Sequence, residues 1–99
     1  MSEQTRESGK QQGIRILHNI DKIAKRLYKG QNGGNEKVRI SMWEVLSASD
    51  VSRSTFYHIN FPQKIGHRAG LWYDNGKLTI KPETYLRNRD RVDLGEIDV

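Results

Sequence analysis

The apolar positions of the chain repeat first with a helical period and later with a strand period. From Gly13 onward Ile16, Leu17, Ile20, Ile23, Ala24 and Leu27 recur three and four residues apart, which places them on one helix face, with Arg15, Lys22, Lys25, Arg26 and Lys29 around it. This spacing predicts a helix from Gly13 to Gly30, where GQNGGN ends it, since glycine and asparagine tolerate the left-handed backbone of a helix terminus. The glycine loop lacks the Gly-Lys-Ser/Thr ending of a P-loop and reads as a linker. After it VRIS leads into Ser41-Met42-Trp43-Glu44, a capping-box spacing that predicts a short helix over 42–48, with Val45 and Leu46 on its buried face. Ser49-Asp50 reads as a tight turn, and Ser52 as the cap of a second helix over 52–59. Phe56 and Ile59 share a side of that helix with Val51, so Arg53, Ser54, Tyr57 and His58 face outward.

Beyond Pro62 the period shortens to two. Residues 63–65 and 71–73 are expected to pair around Gly66-His67-Arg68-Ala69-Gly70, a small wing with His67 and Arg68 at its tip. Asn75-Gly76 is the strongest short hairpin signal, and a two-residue turn there sets Tyr73 opposite Leu78 and Leu71 opposite Ile80, with Trp72 and Thr79 on the other face. A three-stranded antiparallel meander follows. Pro82 starts one further helical turn over 82–87. The pattern as a whole predicts an α+β fold: a winged helix-turn-helix with an extra N-terminal helix and a small antiparallel β-meander. Its parts are a flexible arm over 1–12, a single domain over 13–88, and an acidic tail over 89–99.

Composition narrows the picture. Ninety-nine residues, 34% of them hydrophobic, bury one modest core. The absence of cysteine excludes a disulfide framework and a thiolate metal site, and agrees with a reducing compartment. Neither a signal-peptide core nor the roughly 18 consecutive apolar residues of a membrane span occurs, so a cytoplasmic protein with no membrane partner is expected. Charge is uneven: residues 1–89 carry 16 Lys and Arg against 8 Asp and Glu, whereas residues 90–99 carry Arg91 against Asp90, Asp93, Glu96 and Asp98. A basic body favours polyanions through counterion release, and nucleic acid is the first candidate. A generic lysine-rich surface is the alternative reading of the charge. His18, His58 and His67 stand in separate segments with no partner at metal-ligand spacing, and no nucleophile-base order or carboxylate pair is present. No enzyme, metal or cofactor is expected, and His18 reads as a boundary residue of its helix.

Two short helices joined by a three- or four-residue turn form the arrangement in which the second helix enters the major groove of DNA, although ordinary core packing yields similar pairs. Arg53 has the forked donors that match guanine O6 and N7, while Ser54, Thr55, Tyr57 and His58 reach phosphates or base edges. The run RISMWEVLSASDVSRSTFYHINFPQKIGHRAGLW resembles the AlpA family of phage and integrative-element regulators and excisionases, on Glu44-Val45-Leu46, Ser52-Arg53-Ser54-Thr55-Phe56-Tyr57, Phe61-Pro62, Lys64 and Arg68-Ala69-Gly70-Leu71-Trp72. TetR-type repressors resemble the same stretch more weakly, and continue into a long ligand-binding domain for which this chain has no room. Departures from the AlpA pattern are Asp50 in place of a turn glycine, a short segment between Tyr57 and Phe61, and the added helix before residue 30.

The resemblance implies a winged helix-turn-helix that binds double-stranded DNA through Ser52, Arg53, Ser54, Thr55, Tyr57 and His58, with Lys64 on phosphate and His67 and Arg68 in the wing. It implies an excisionase or recombination directionality factor of a bacterial or phage mobile element, which binds and bends attachment-site DNA to assist an integrase. So small a protein needs a homodimer or cooperative assembly on DNA for useful affinity. Two alternatives stay open: a transcriptional repressor or activator that uses the same helices, and a protein-interaction module or antirepressor whose basic face meets an acidic partner.

Overall fold

The computed structural model describes residues 9–61 and 66–90. Helix α1 (Gly9–Gly30) begins ahead of the expected Gly13, because Lys10, Gln11 and Gln12 are straight-chain residues of good helix propensity that extend it. Ile16, Leu17, Ile20 and Ala24 are fully buried on its apolar face, and the basic residues Lys22, Lys25, Arg26 and Lys29 are exposed. The helix closes on Asn32, whose φ of 55° is left-handed; the Gly33 N–H donates to the Tyr28 carbonyl at 2.7 Å and the Asn32 N–H to that of Lys29 at 3.0 Å.

The chain then runs β1 (Val38–Ser41), α2 (Met42–Ser49), α3 (Arg53–His58), β2 (Trp72–Asp74), β3 (Lys77–Ile80) and α4 (Pro82–Arg89). The fold is α+β, with four helices and a three-stranded antiparallel sheet in the order β1-β3-β2. That sheet is not the expected meander. Its third strand is β1, the VRIS segment read as a lead-in to a helix, paired with β3 from Val38↔Ile80 to Ser41↔Lys77. The strand expected over 63–65 lies outside the described residues, as does Lys64. The Asn75-Gly76 hairpin forms as its sequence predicts: both residues have positive φ, 48° and 79°, and Tyr73 pairs with Leu78 and Trp72 with Thr79.

Alternation along the strands divides the sheet into two unlike faces. Val38, Ile40, Tyr73, Leu78 and Ile80 point inward. Beneath them Met42, Val45 and Leu46 from α2, Phe56 from α3, and Leu71 just ahead of β2 complete the core with α1. The segment expected to be a wing tip is instead one helical turn, closed by Leu71 N–H to Gly66 carbonyl at 2.8 Å and Gly70 N–H to His67 carbonyl at 3.1 Å. Gly70, at φ 79°, sits against α4, where an added Cβ would lie 2.5 Å from Asn88 Nδ2.

Helix α4 runs past the single turn expected over 82–87. Pro82 opens it, and the glycine loop supplies its cap from a distance: Thr84 N–H donates to Asn35 Oδ1 at 2.9 Å, and Asn35 Nδ2 to Thr84 Oγ1 at 2.8 Å. Tyr85 is fully buried and donates its hydroxyl to Asp21 Oδ1 at 2.5 Å, where Arg89 Nε also donates at 3.2 Å. Burial, and then the Asp21 carboxylate, push the Tyr85 phenol far above its ordinary 10.0, so the hydroxyl stays a donor. This triad locks α4 to α1.

Candidate nucleic-acid interface

Helix α2 begins at Met42 as predicted, but not through the expected capping box. Ser41 is held in the ladder opposite Lys77, so its side chain makes no cap bond, and Glu44 is exposed. The Met42 N–H donates instead to the Gly76 carbonyl at 2.9 Å, so the hairpin turn starts the helix. The end of α2 follows the sequence reading. Asp50 adopts φ 57° and ψ 43°, its N–H bonds to the Ser47 carbonyl at 3.2 Å and that of Val51 to Leu46 at 3.0 Å, while buried Val51 and Leu46 add the accompanying apolar contact.

Helix α1 fixes this turn from outside. Arg15 donates from Nε to the Ser49 carbonyl at 2.9 Å and from Nη2 to that of Asp50 at 3.0 Å. Asn19 Nδ2 donates to Ser49 Oγ at 2.9 Å, and that hydroxyl donates to the Val45 carbonyl at 2.7 Å. Two carbonyls at the helix end are therefore satisfied by Arg15, which the sequence pattern assigned only to the rim of a distant helix, while Asn19 holds the Ser49 hydroxyl.

Helix α3 leaves the turn through Ser52, whose Oγ accepts from the Thr55 N–H at 3.1 Å and lies 2.9 Å from Thr55 Oγ1. The two hydroxyls are thus engaged with each other, and Thr55 is half-buried. Phe56 is fully buried and anchors the helix; burying such a ring is worth about 2 to 3 kcal/mol. Arg53, Ser54, Tyr57 and His58 are exposed, as the spacing predicts.

Arg53 and Tyr57 are held by contacts that the sequence did not announce. The Arg53 guanidinium lies over the Trp43 ring, 4.2 Å from its centroid, a cation–π contact that narrows the positions its forked donors sample. Trp43 is itself seated edge-on against Phe56 and Tyr73, with centroids 6.5 and 6.2 Å away, and its Nε1 sits where a Cβ on Gly76 would approach to 2.9 Å. The Tyr57 hydroxyl, on a side chain 56% exposed, meets that of Tyr73 at 2.8 Å. Burial, with the Tyr57 hydrogen bond behind it, raises the Tyr73 phenol above 10.0.

His67 and Arg68 are exposed on the helical turn before β2, between buried Gly66 and buried Ala69. Of the expected site residues, the structure therefore groups Arg53, Ser54, Thr55, Tyr57 and His58 on one short helix with Ser52 as its cap, and sets His67 and Arg68 on a separate turn. Trp43, Tyr73, Arg15 and Asn19 are the residues that sequence reasoning missed. Their roles depend on partners far along the chain, and only the aromatic character of Trp43 and Tyr73 hinted at a shared cluster. Comparison of the chain with protein-family models, with curated proteins and with solved structures finds no match. Among the described residues no helix is long and apolar enough to cross a membrane.

Proposed function

We propose that the chain is a sequence-specific binder of double-stranded DNA, a winged helix-turn-helix in which α2 supports, α3 enters the major groove, and the turn carrying His67 and Arg68 flanks it. One observation carries this reading: Arg53 projects from α3 with its guanidinium stacked on Trp43, beside exposed Ser54, Tyr57 and His58. A forked donor held in a narrow range of orientations suits bidentate recognition of guanine, and the exposed basic residues of α1 and the formal charge of +5 supply the counterion-release term. The AlpA-like residues favour one biological role over others. That role is an excisionase that binds attachment-site DNA beside an integrase.

The test is a footprinting titration on DNA flanking the gene, with excess nonspecific competitor and at several salt concentrations. Protected, regularly spaced repeats are expected, and Arg53→Ala should cost about 1 to 3 kcal/mol with relaxed specificity. An unchanged Arg53→Ala footprint refutes base reading by α3. Absence of protection at low salt favours an acidic protein partner instead. Reconstituted excision with an integrase, if one is encoded beside the gene, then separates the recombination role from promoter control, which needs the same footprint without the integrase.

A further inference from the structure

We infer that the outer face of the sheet is a second binding surface, built for single-stranded nucleic acid, with Trp72 as a base-stacking platform. The register puts Arg39, Thr79 and Trp72 in one row across β1, β3 and β2, on the face opposite the core. The same alternation sends Lys77 to that face, while Lys37, Trp72, Thr79 and Lys81 line a depression of about 320 Å³. Four cations, Lys37, Arg39, Lys77 and Lys81, thus lie on the β3 and β1 side of one large ring that is 50% exposed on an edge strand. Asp74, at the hairpin end, is the one acid that the described strands set on this face.

No core position needs this tryptophan, because the inward side of β2 is filled by Tyr73, so its ring is left free on the outer face. The chemistry that the face offers is a π surface at the sheet edge with positive charge along its inner flank, within about 10 Å, or two strand spacings. An unpaired base stacks on the ring while its phosphates reach the lysines, the combination by which sheet platforms hold single strands. A duplex suits the face poorly, since its bases are already stacked and offer Trp72 only a backbone. An acidic peptide would satisfy the lysines and leave the ring uncovered.

The surface lies on different residues from α3, so it stands or falls apart from the duplex-reading proposal. The experiment is fluorescence anisotropy of labelled oligo-dT, oligo-rU and a duplex, each titrated with the full chain at low salt. Trp72→Ala should weaken oligo-dT binding about 5- to 100-fold, with Trp72→Phe retaining most of the affinity, and leave duplex affinity unchanged. Lys37→Ala and Lys81→Ala should each lower the slope of log affinity against log salt by about 0.7. Arg53→Ala should do the reverse, weakening the duplex and sparing oligo-dT. Equal affinity for oligo-dT and oligo-rU is expected, because base and phosphate are common to both. The inference is overturned if folded Trp72→Ala, with unchanged circular dichroism, binds oligo-dT like the parent. Equal competition by polyglutamate of matched charge, or a preference above tenfold for either sugar, would overturn it as well.

Discussion

Gly76 is where the hairpin, the start of α2 and the seat of Arg53 meet, so Gly76→Ala tests the architecture of the site in one substitution. Its φ of 79° costs an alanine about 1 to 2 kcal/mol. The new Cβ would also stand 2.9 Å from Trp43 Nε1, closer than real Cβ contacts allow, and a tight 3.2 Å from Cε2, so the indole must move. Its displacement weakens the edge-on contacts to Phe56 and Tyr73, each worth about 0.5 to 1.5 kcal/mol. The expected total is about 2 to 3 kcal/mol, read as a lower urea midpoint at unchanged slope, or as a fall of about 10 °C or more in Tm. In a Trp43→Ala background the clash is gone and only the backbone strain remains, about 1 to 2 kcal/mol. The cycle should therefore show a coupling of about 1 kcal/mol. Equal costs in both backgrounds would mean that the ring does not rest on this glycine, and a cost below about 0.5 kcal/mol would mean that the turn is not left-handed.

Asp50→Gly should stabilise the chain by about 0.5 to 1 kcal/mol in urea titrations, since the side chain is exposed and the backbone left-handed. Arg15→Ala should cost about 1 to 2 kcal/mol by removing two donors from the α2 terminus, and Arg15→Lys should not restore the loss because one ammonium cannot reproduce the fork. Tyr85→Phe should cost about 1 to 2 kcal/mol by the same assay through the lost bond to Asp21. Because the Tyr85 phenol is raised in the folded state, the native chain binds its proton more tightly than the unfolded one. Stability from this group is complete below pH 10.0 and declines as pH rises beyond it, by up to about 1.4 kcal/mol per pH unit, and alkaline titration of Tyr85→Phe should show a shallower decline.

Much of this structure was legible from local chemistry. The three- and four-residue spacing from Ile16 to Leu27 gave α1 its face, Asp50 and Ser52 marked the turn between α2 and α3, and Asn75-Gly76 fixed the register of the hairpin. What local chemistry did not carry is the partner of VRIS: a four-residue segment with two apolar positions offers too little period to distinguish a strand from a helix lead-in. Missing that pairing hid two further features. Ser41 was read as a cap because its place in the ladder was invisible, and Arg39 was not set in one row with Thr79 and Trp72. The outward set on α3 was readable because helix spacing alone decides it, whereas the stacking of Arg53 on Trp43 required the fold of α3 against α2.

The pairing of β1 with β3 also has a kinetic meaning. Val38 and Ile80 are joined across the sheet, and α2, α3 and β2 all lie within the loop that this pairing closes. Loop closure is paid before such a distant contact gives anything back, so refolding should be slower than for a helical bundle of this length. An excised peptide spanning only α2 and α3 would lack the strand ends that brace it and the Gly76 carbonyl that starts its first helix. Helix α3 is accordingly a late product of long-range assembly, and variants of Val38 or Ile40 that weaken β1 should slow its appearance in stopped-flow fluorescence.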